Sequence, residues 1–238
     1  MIKFKELNLE LRDGPYMYGN NQWLWPKEDY ICWEYFNIHE QKKFLDKNIK
    51  GYHLPHEIIE LIPVKNRKTI IQAGGNSGLY PLIYSNYFER VITFEPDYRW
   101  FFCLNYNASS SNIYKYQAAI GNDNDPVDMI TPLIKGGSPN LGGLHISNGG
   151  KIPKIKIDSL GLEPDLIHLD IEGAEWDALL GAKETIIKSK PLIVVEWDTT
   201  GEKYGWSKDR AEKLFFEFGY VLYKEWPRDR AYIHADKK

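Results

Sequence analysis

The chain has 238 residues, 43% hydrophobic and 26% charged, with a formal net charge of -3. That length suits one α/β domain with a sizeable core plus a small appendage, and the charge gives no general attraction to nucleic acid or anionic lipid. No run approaches membrane-spanning length and MIKFKELNLELRDG lacks a signal-peptide core, so a cytoplasmic protein with neither nucleic-acid nor membrane partners is expected.

Residues 1–65 read as an aromatic-rich N-terminal extension, with short helices over 38–49 and 55–62. Residues 66–238 read as the main domain. Its predicted elements are strand 68–73, helix 78–88, strand 90–95, helix 97–108 and strand 112–120. Residues 121–153 interrupt with GNDNDP, KGGSPNLGG and SNGGKIP, a turn-rich insertion expected to lie over one end of the sheet. Strands then follow at 154–160 and 165–173, a helix at 174–187 and a strand at 191–197. Ser207 caps a helix with apolar Ala211, Leu214, Phe215 and Phe218, ended by Gly219. YVLYKEW and RAYIHA close the chain as antiparallel strands. Apolar strands alternating with helices imply a doubly wound, mostly parallel sheet covered on both faces.

Cys32 and Cys103 stand far apart with no metal-type spacing, and free buried thiols are expected. His53 and His56 bracket Leu54-Pro55 and read as structural. No metal site is expected. The 8 Trp and 16 Tyr serve packing or a surface on which carbohydrate or nucleobase stacks.

IIQAGGNSGLYPLIYS turns from strand to helix through small residues, with Pro81 suited to a helix's first turn. The turn's free N–H groups lie where ligands sit in doubly wound sheets. A P-loop is excluded. The dinucleotide fingerprint is met only as Ala73-x-Gly75-x-x-Gly78, and the acid-x-G-x-G-x-G turn of S-adenosylmethionine enzymes only as Gln72-x-Gly74-x-Asn76-x-Gly78. Glu95, followed by Pro96, ends the next strand at the place from which a carboxylate accepts ribose hydroxyls, which suits either cofactor. In LDIEGAEW, Asp170 and Glu172 share one face of a strand end. With Glu175 they either stabilise the next helix start or receive a cationic ligand such as a sulfonium.

Together these blocks resemble the FkbM family of S-adenosylmethionine-dependent methyltransferases, from about Lys68 to Asp198. The resemblance rests on QAGGNSGLYPL against D-x-G-A-N-x-G-x-Y, on FEPD, AIGN, IKIDSL and LDIEGAEWDALLGA, and on VVEW. It implies a class I methyltransferase (Rossmann-like) fold with seven strands, the last antiparallel, and methylation of a hydroxyl on a sugar, glycan or other small molecule. By position, Gln72, Gly74, Gly75, Asn76 and Gly78 would border the methionine and ribose of S-adenosylmethionine. Glu95 and Pro96 would hold the ribose, and Ala119 with Ile120 would border the adenine. Asp170, Glu172 and Glu175 would border the reacting centre, Asp170 and Glu172 also touching the cofactor. Gln72 stands where the family has an acid, and His168 where it often has Lys or Arg.

Asp170 is the first candidate for general base, with Glu172 beside it and His168 sharing its strand face. His145 in the insertion could reach the site. A divalent ion on Asp170 with Glu196 or Asp198 is an alternative that no spacing demands. Two rival classes remain, a methyltransferase-like module that binds without catalysis and an NAD-dependent oxidoreductase. A homodimer through the N-terminal extension is left open.

Overall fold

A computed structural model describes residues 4–13, 22–29, 54–134 and 136–238. The expected helix at 38–49, and Cys32, lie outside the described residues. Cys103 is a buried free thiol.

The β-branched apolar runs form β3 (Thr69–Ala73), β4 (Arg90–Phe94), β10 (Leu166–Leu169) and β11 (Leu192–Glu196). With β5 (Ile113–Tyr116), β12 (Tyr220–Glu225) and β13 (Asp229–His234) they make a seven-stranded sheet in the order β12-β13-β11-β10-β3-β4-β5. The last strand, β13, is antiparallel to β11 and β12; the other ladders are parallel.

Period-two alternation sends successive side chains to opposite layers. Ile70, Val91, Leu166, Val194 and Ala231 pack on one face against α1 (Leu54–Glu60), α2 (Leu79–Ser85) and α3 (Tyr98–Asn107). Ile71, Ile92, Ile167, Ile193 and Val195 pack on the other, against α4 (Glu175–Leu180), α5 (Lys183–Ser189) and α6 (Lys208–Glu217). The Ser207 hydroxyl caps α6 by accepting the Arg210 N–H, and Ala211, Leu214, Phe215 and Phe218 are all buried as the pattern requires.

The N-terminal hairpin, β1 (Leu9–Asp13) and β2 (Gln22–Pro26), joins the first layer rather than standing apart. Asn107 explains the docking. Its Nδ2 donates to the Leu24 and Ser77 carbonyls at 3.0 and 2.8 Å, while its Oδ1 accepts the Leu24 N–H at 2.8 Å. One buried amide thus ties the hairpin to α3 and to the glycine turn.

Three expected elements divide. The 112–120 strand leaves the sheet after Tyr116, and β6 (Ala119–Ile120) pairs instead with β9 (Lys154–Ile155). The 154–160 strand stops at β9 because Asp158 turns to cap α5, accepting the Glu184 and Thr185 N–H groups at 3.1 and 2.8 Å. The helix over 174–187 breaks at Gly181, where a Cβ would lie 2.0 Å from the Gly121 carbonyl oxygen. Residues 121–153 carry the hairpin β7 (Val127–Ile130) and β8 (His145–Asn148), and Met129 and residues 141–146 line the cavity at the carboxyl end of the sheet.

Candidate functional site

The carboxyl ends of the parallel strands open into a cavity of about 890 Å³. Its size lies within the usual range for small-molecule sites. Its floor begins at the glycine turn. Gly74 and Asn76 adopt left-handed φ values of +87° and +45°. A Cβ at Gly74 would fall 1.9 Å from the Asp170 carbonyl oxygen, so glycine is required there by the chain itself before any ligand is considered.

Glu95 holds this turn in place. Its Oε2 accepts the Asn76 N–H at 2.7 Å and its Oε1 accepts the Asp97 N–H at 2.9 Å. Burial pushes its carboxyl up to about 8, outweighing the two amides that favour the charged form. Gln72 does related work from beneath. Fully buried, it donates from Nε2 to the Ala73 and Gly74 carbonyls at 3.1 and 2.8 Å and accepts the Thr93 hydroxyl. A carboxylate could not make those donations, so the departure from the family's acid gives a braced turn in place of a charge.

The LDIEGAEW loop is organised by one of its own acids. Glu175 Oε1 accepts the Ile171 and Gly173 N–H groups at 2.8 and 3.3 Å, which curls the loop around a buried carboxyl. Glu175 therefore points inward and does not line the cavity, contrary to its expected place beside the reacting centre. Glu172, at φ +56°, and Asp170 face the cavity.

Register places the remaining acids. Leu169 pairs with Val195 and Glu196 with Asp229, so Asp170, Glu196 and Asp229 stand level across three neighbouring strands. Adjacent strands are about 4.8 Å apart, and all three carboxyls line the cavity. Arg228 donates to Glu196 Oε1 and to Asp198 Oδ2, and is the sole Lys or Arg on the cavity wall among the described residues. That pairing favours a charged Glu196, but burial and the neighbouring Asp170, Glu172 and Glu175 outweigh it and raise this carboxyl well above its ordinary range. Burial likewise raises Asp170, and it lifts Glu172 and Asp229 to about 7, in both cases with help from Asp170. An entering cation would relieve the repulsion these acids meet on ionising. Asp170, Glu172 and Glu196 can each place an oxygen within 4.8 Å of the others.

Aromatic side chains complete the wall: Trp25, Tyr80 and Trp226 line the cavity with Leu54 and Glu57. His168 sits behind this wall, fully buried, with its ring stacked on Tyr80 and Nδ1 2.8 Å from the Tyr84 hydroxyl. Burial pushes its imidazole down to about 3, so it stays neutral. Any part it plays is exerted through its neighbours.

Of the residues singled out from sequence, Gly74, Gly75, Asn76, Glu95, Pro96, Ala119, Ile120, Asp170, Glu172 and His145 come together on the cavity wall. Gln72, Gly78 and His168 do not. Sequence reasoning missed Trp25, Tyr80, Glu57 and the 226–229 turn. Only the alignment of Glu196 with Asp229 had a usable signal, two acids at strand ends that pair side by side.

The strand order with its reversed last strand, and a cleft at the carboxyl edge beside a glycine turn, define a class I methyltransferase fold. The model of the methyltransferase FkbM domain matches residues 72–222, well over half of the chain, and the chain belongs to that family. No curated protein matches. Among solved structures, a methyltransferase FkbM from Methylobacillus flagellatus KT is similar at 20% identity and TM-score 0.48, over 71% of this chain and 44% of its own. This chain thus spans less than half of that protein. A magnesium protoporphyrin IX methyltransferase from Synechocystis PCC 6803, solved with bound SAH, is similar at 12% identity and TM-score 0.47, over 85% of this chain and 92% of its own. Neither likeness carries an assignment.

Proposed function

We propose that this protein is an S-adenosylmethionine-dependent O-methyltransferase acting on a hydroxyl of a sugar, glycan or other small molecule. The observation that carries the reading is the continuity of one cavity along the sheet's carboxyl edge, from Glu95 and the glycine turn after β4 and β3 to the level acids of β10, β11 and β13, with Trp226 beside Asp229. The first end suits an adenosine and the second an acceptor.

The residues present fit the cofactor. Glu95 spends one lone pair of each oxygen on a backbone amide, leaving others for ribose hydroxyls. Gly74, Gly75 and Asn76 offer a wall without bulky side chains, Pro96, Ala119 and Ile120 an apolar slot for the base, and Asp170 with Glu172 an acidic surface for positive charge. S-adenosylmethionine bound there supplies the methyl group as an electrophile. The chain's own work is alignment and exclusion of water. Asp170, with its carboxyl raised by burial, takes the proton of the acceptor hydroxyl once ionised, or orients that hydroxyl. Glu172 shares the negative field, and His168 supports the wall through Tyr80.

Incubation with labelled S-adenosylmethionine and a panel of sugars, glycosides and phenols tests the reading. Label transferred to a hydroxyl supports it. Tight S-adenosylhomocysteine binding without turnover on any acceptor would favour a binding module, the reading that Gln72 in place of an acid keeps open. Stabilisation by NAD in place of S-adenosylhomocysteine would favour an oxidoreductase.

A further inference from the structure

The family match covers residues 72–222, yet Trp25, Leu54, Glu57 and Trp226 on the cavity wall lie outside it. Trp226 is held there by three devices. Its indole Nε1 donates to Glu57 Oε2 at 2.7 Å, across from α1. Lys224 Nζ lies 4.9 Å from the ring centroid and donates to the same Glu57 oxygen at 3.1 Å. The Trp226 N–H closes the turn on the Asp229 carbonyl at 2.8 Å.

A bulge in β12 aims the whole group. Leu222 opposes Tyr232, but Lys224 opposes Ala231, so one extra residue intervenes. Ala231 belongs to the layer that contains α1. Without the extra residue Lys224 would oppose Arg230, whose partners Glu212 and Trp197 lie in the opposite layer. A one-residue slip reverses every side chain beyond it, and bulges recur where a side chain must be re-aimed. Here the slip turns Lys224 and Trp226 towards Glu57 and the cavity.

We propose that Trp226 is the specificity-determining platform for a pyranose acceptor, and that Glu57 is the positioning residue that fixes its indole. This rests on the methyltransferase reading above. An indole offers an apolar surface for the C–H face of a sugar ring. Beside it, Asp229, Glu196 and Asp170 stand at intervals of about 4.8 Å, roughly the width of a pyranose, and carboxyl oxygens accept hydroxyl hydrogen bonds whether or not the group is ionised. A neutral polyol suits this wall. An anionic acceptor would meet the acids with, among the described residues of the wall, only Arg228 to offset them. Selection of acceptor is then housed outside the family's shared stretch, in an N-terminal helix and a C-terminal hairpin locked to each other.

The test is saturation-transfer difference NMR on the full chain with S-adenosylhomocysteine. The probes are methyl glucopyranoside, mannopyranoside and rhamnopyranoside. Transfer to ring C–H protons of at least one glycoside is expected in the wild type. It should fall about fivefold or more in Trp226→Ala and in Trp226→Leu, the latter keeping apolar bulk against the core. Glu57→Ala should lose transfer and shift the Trp226 indole N–H resonance. Glu57→Gln, which keeps an acceptor for that N–H, should restore both. S-adenosylhomocysteine affinity should stay within about twofold throughout, as expected for residues remote from the cofactor end. Undiminished transfer in Trp226→Leu overturns the platform, and so does absence of transfer from all three glycosides to wild type that binds S-adenosylhomocysteine. Unaltered transfer in Glu57→Ala overturns the positioning role. Failure of S-adenosylhomocysteine to bind the wild type would instead remove the underlying reading.

Discussion

Glu175 offers a sharp test of the electrostatics because its charge and its hydrogen bonds can be separated. Burial holds its carboxyl neutral up to about pH 8, against an ordinary 4.5, although the backbone N–H groups of Ile171, Gly173 and Glu175 itself favour the anion. The unfolded chain releases this proton first, so between those pH values the folded state binds more protons and stability falls as pH rises. At 1.36 kcal/mol per pH unit of full difference, the loss from pH 5.5 to 8.5 is about 3 kcal/mol for this group. Glu175→Gln removes the titration, yet its amide oxygen can still accept the Ile171 and Gly173 N–H groups. Urea denaturation should show little difference from wild type at pH 5.5 and a variant more stable by about 3 kcal/mol at pH 8.5. Glu175→Ala, which orphans both amides, should lose about 2–4 kcal/mol at either pH. Parallel pH dependence in wild type and Glu175→Gln would refute the neutral buried carboxyl.

Glu95→Ala should weaken S-adenosylhomocysteine binding about 10- to 100-fold, the worth of two hydrogen bonds to ribose hydroxyls, and calorimetric affinity equal to wild type would remove the ribose assignment. Asp170→Asn should cut turnover about 100-fold or more while affinity for S-adenosylhomocysteine changes little; unimpaired turnover on the acceptor found by the panel would exclude it as base. Gly74→Ala drives a Cβ against the Asp170 backbone and should cost about 4 kcal/mol or more in thermal unfolding. A wild-type melting temperature would contradict the close packing of these two strand ends.

The sheet was legible because its strands are buried on both faces, so runs such as TIIQA and LIVVE announce themselves without partners. The helical spacing of apolar residues after Ser207 showed the last helix equally well. The divided elements were not legible, since each depends on a distant contact: Gly181 on the Gly121 carbonyl, and Asp158 on the amides of α5. At the site, motif order led to Gly74, Glu95 and Asp170, which follow local rules about strand ends. Glu175 misled because a carboxylate in a first helical turn has the same spacing whether it faces a ligand or its own loop. Gln72 looked like a defect in isolation, and its two donations to backbone carbonyls appear only once the turn is folded. Trp226 was hidden because its direction depends on one extra residue in β12, a register event that no sequence period records.

The central claim is that an adenosine thioether or sulfonium lies between the glycine turn and the row of acids. Titration calorimetry with S-adenosylhomocysteine measures this most directly. One-to-one heat from the wild type, with affinity about 10- to 100-fold weaker in Glu95→Ala, is the predicted result. No heat from the wild type, at protein and ligand concentrations that would reveal micromolar affinity, would contradict the account.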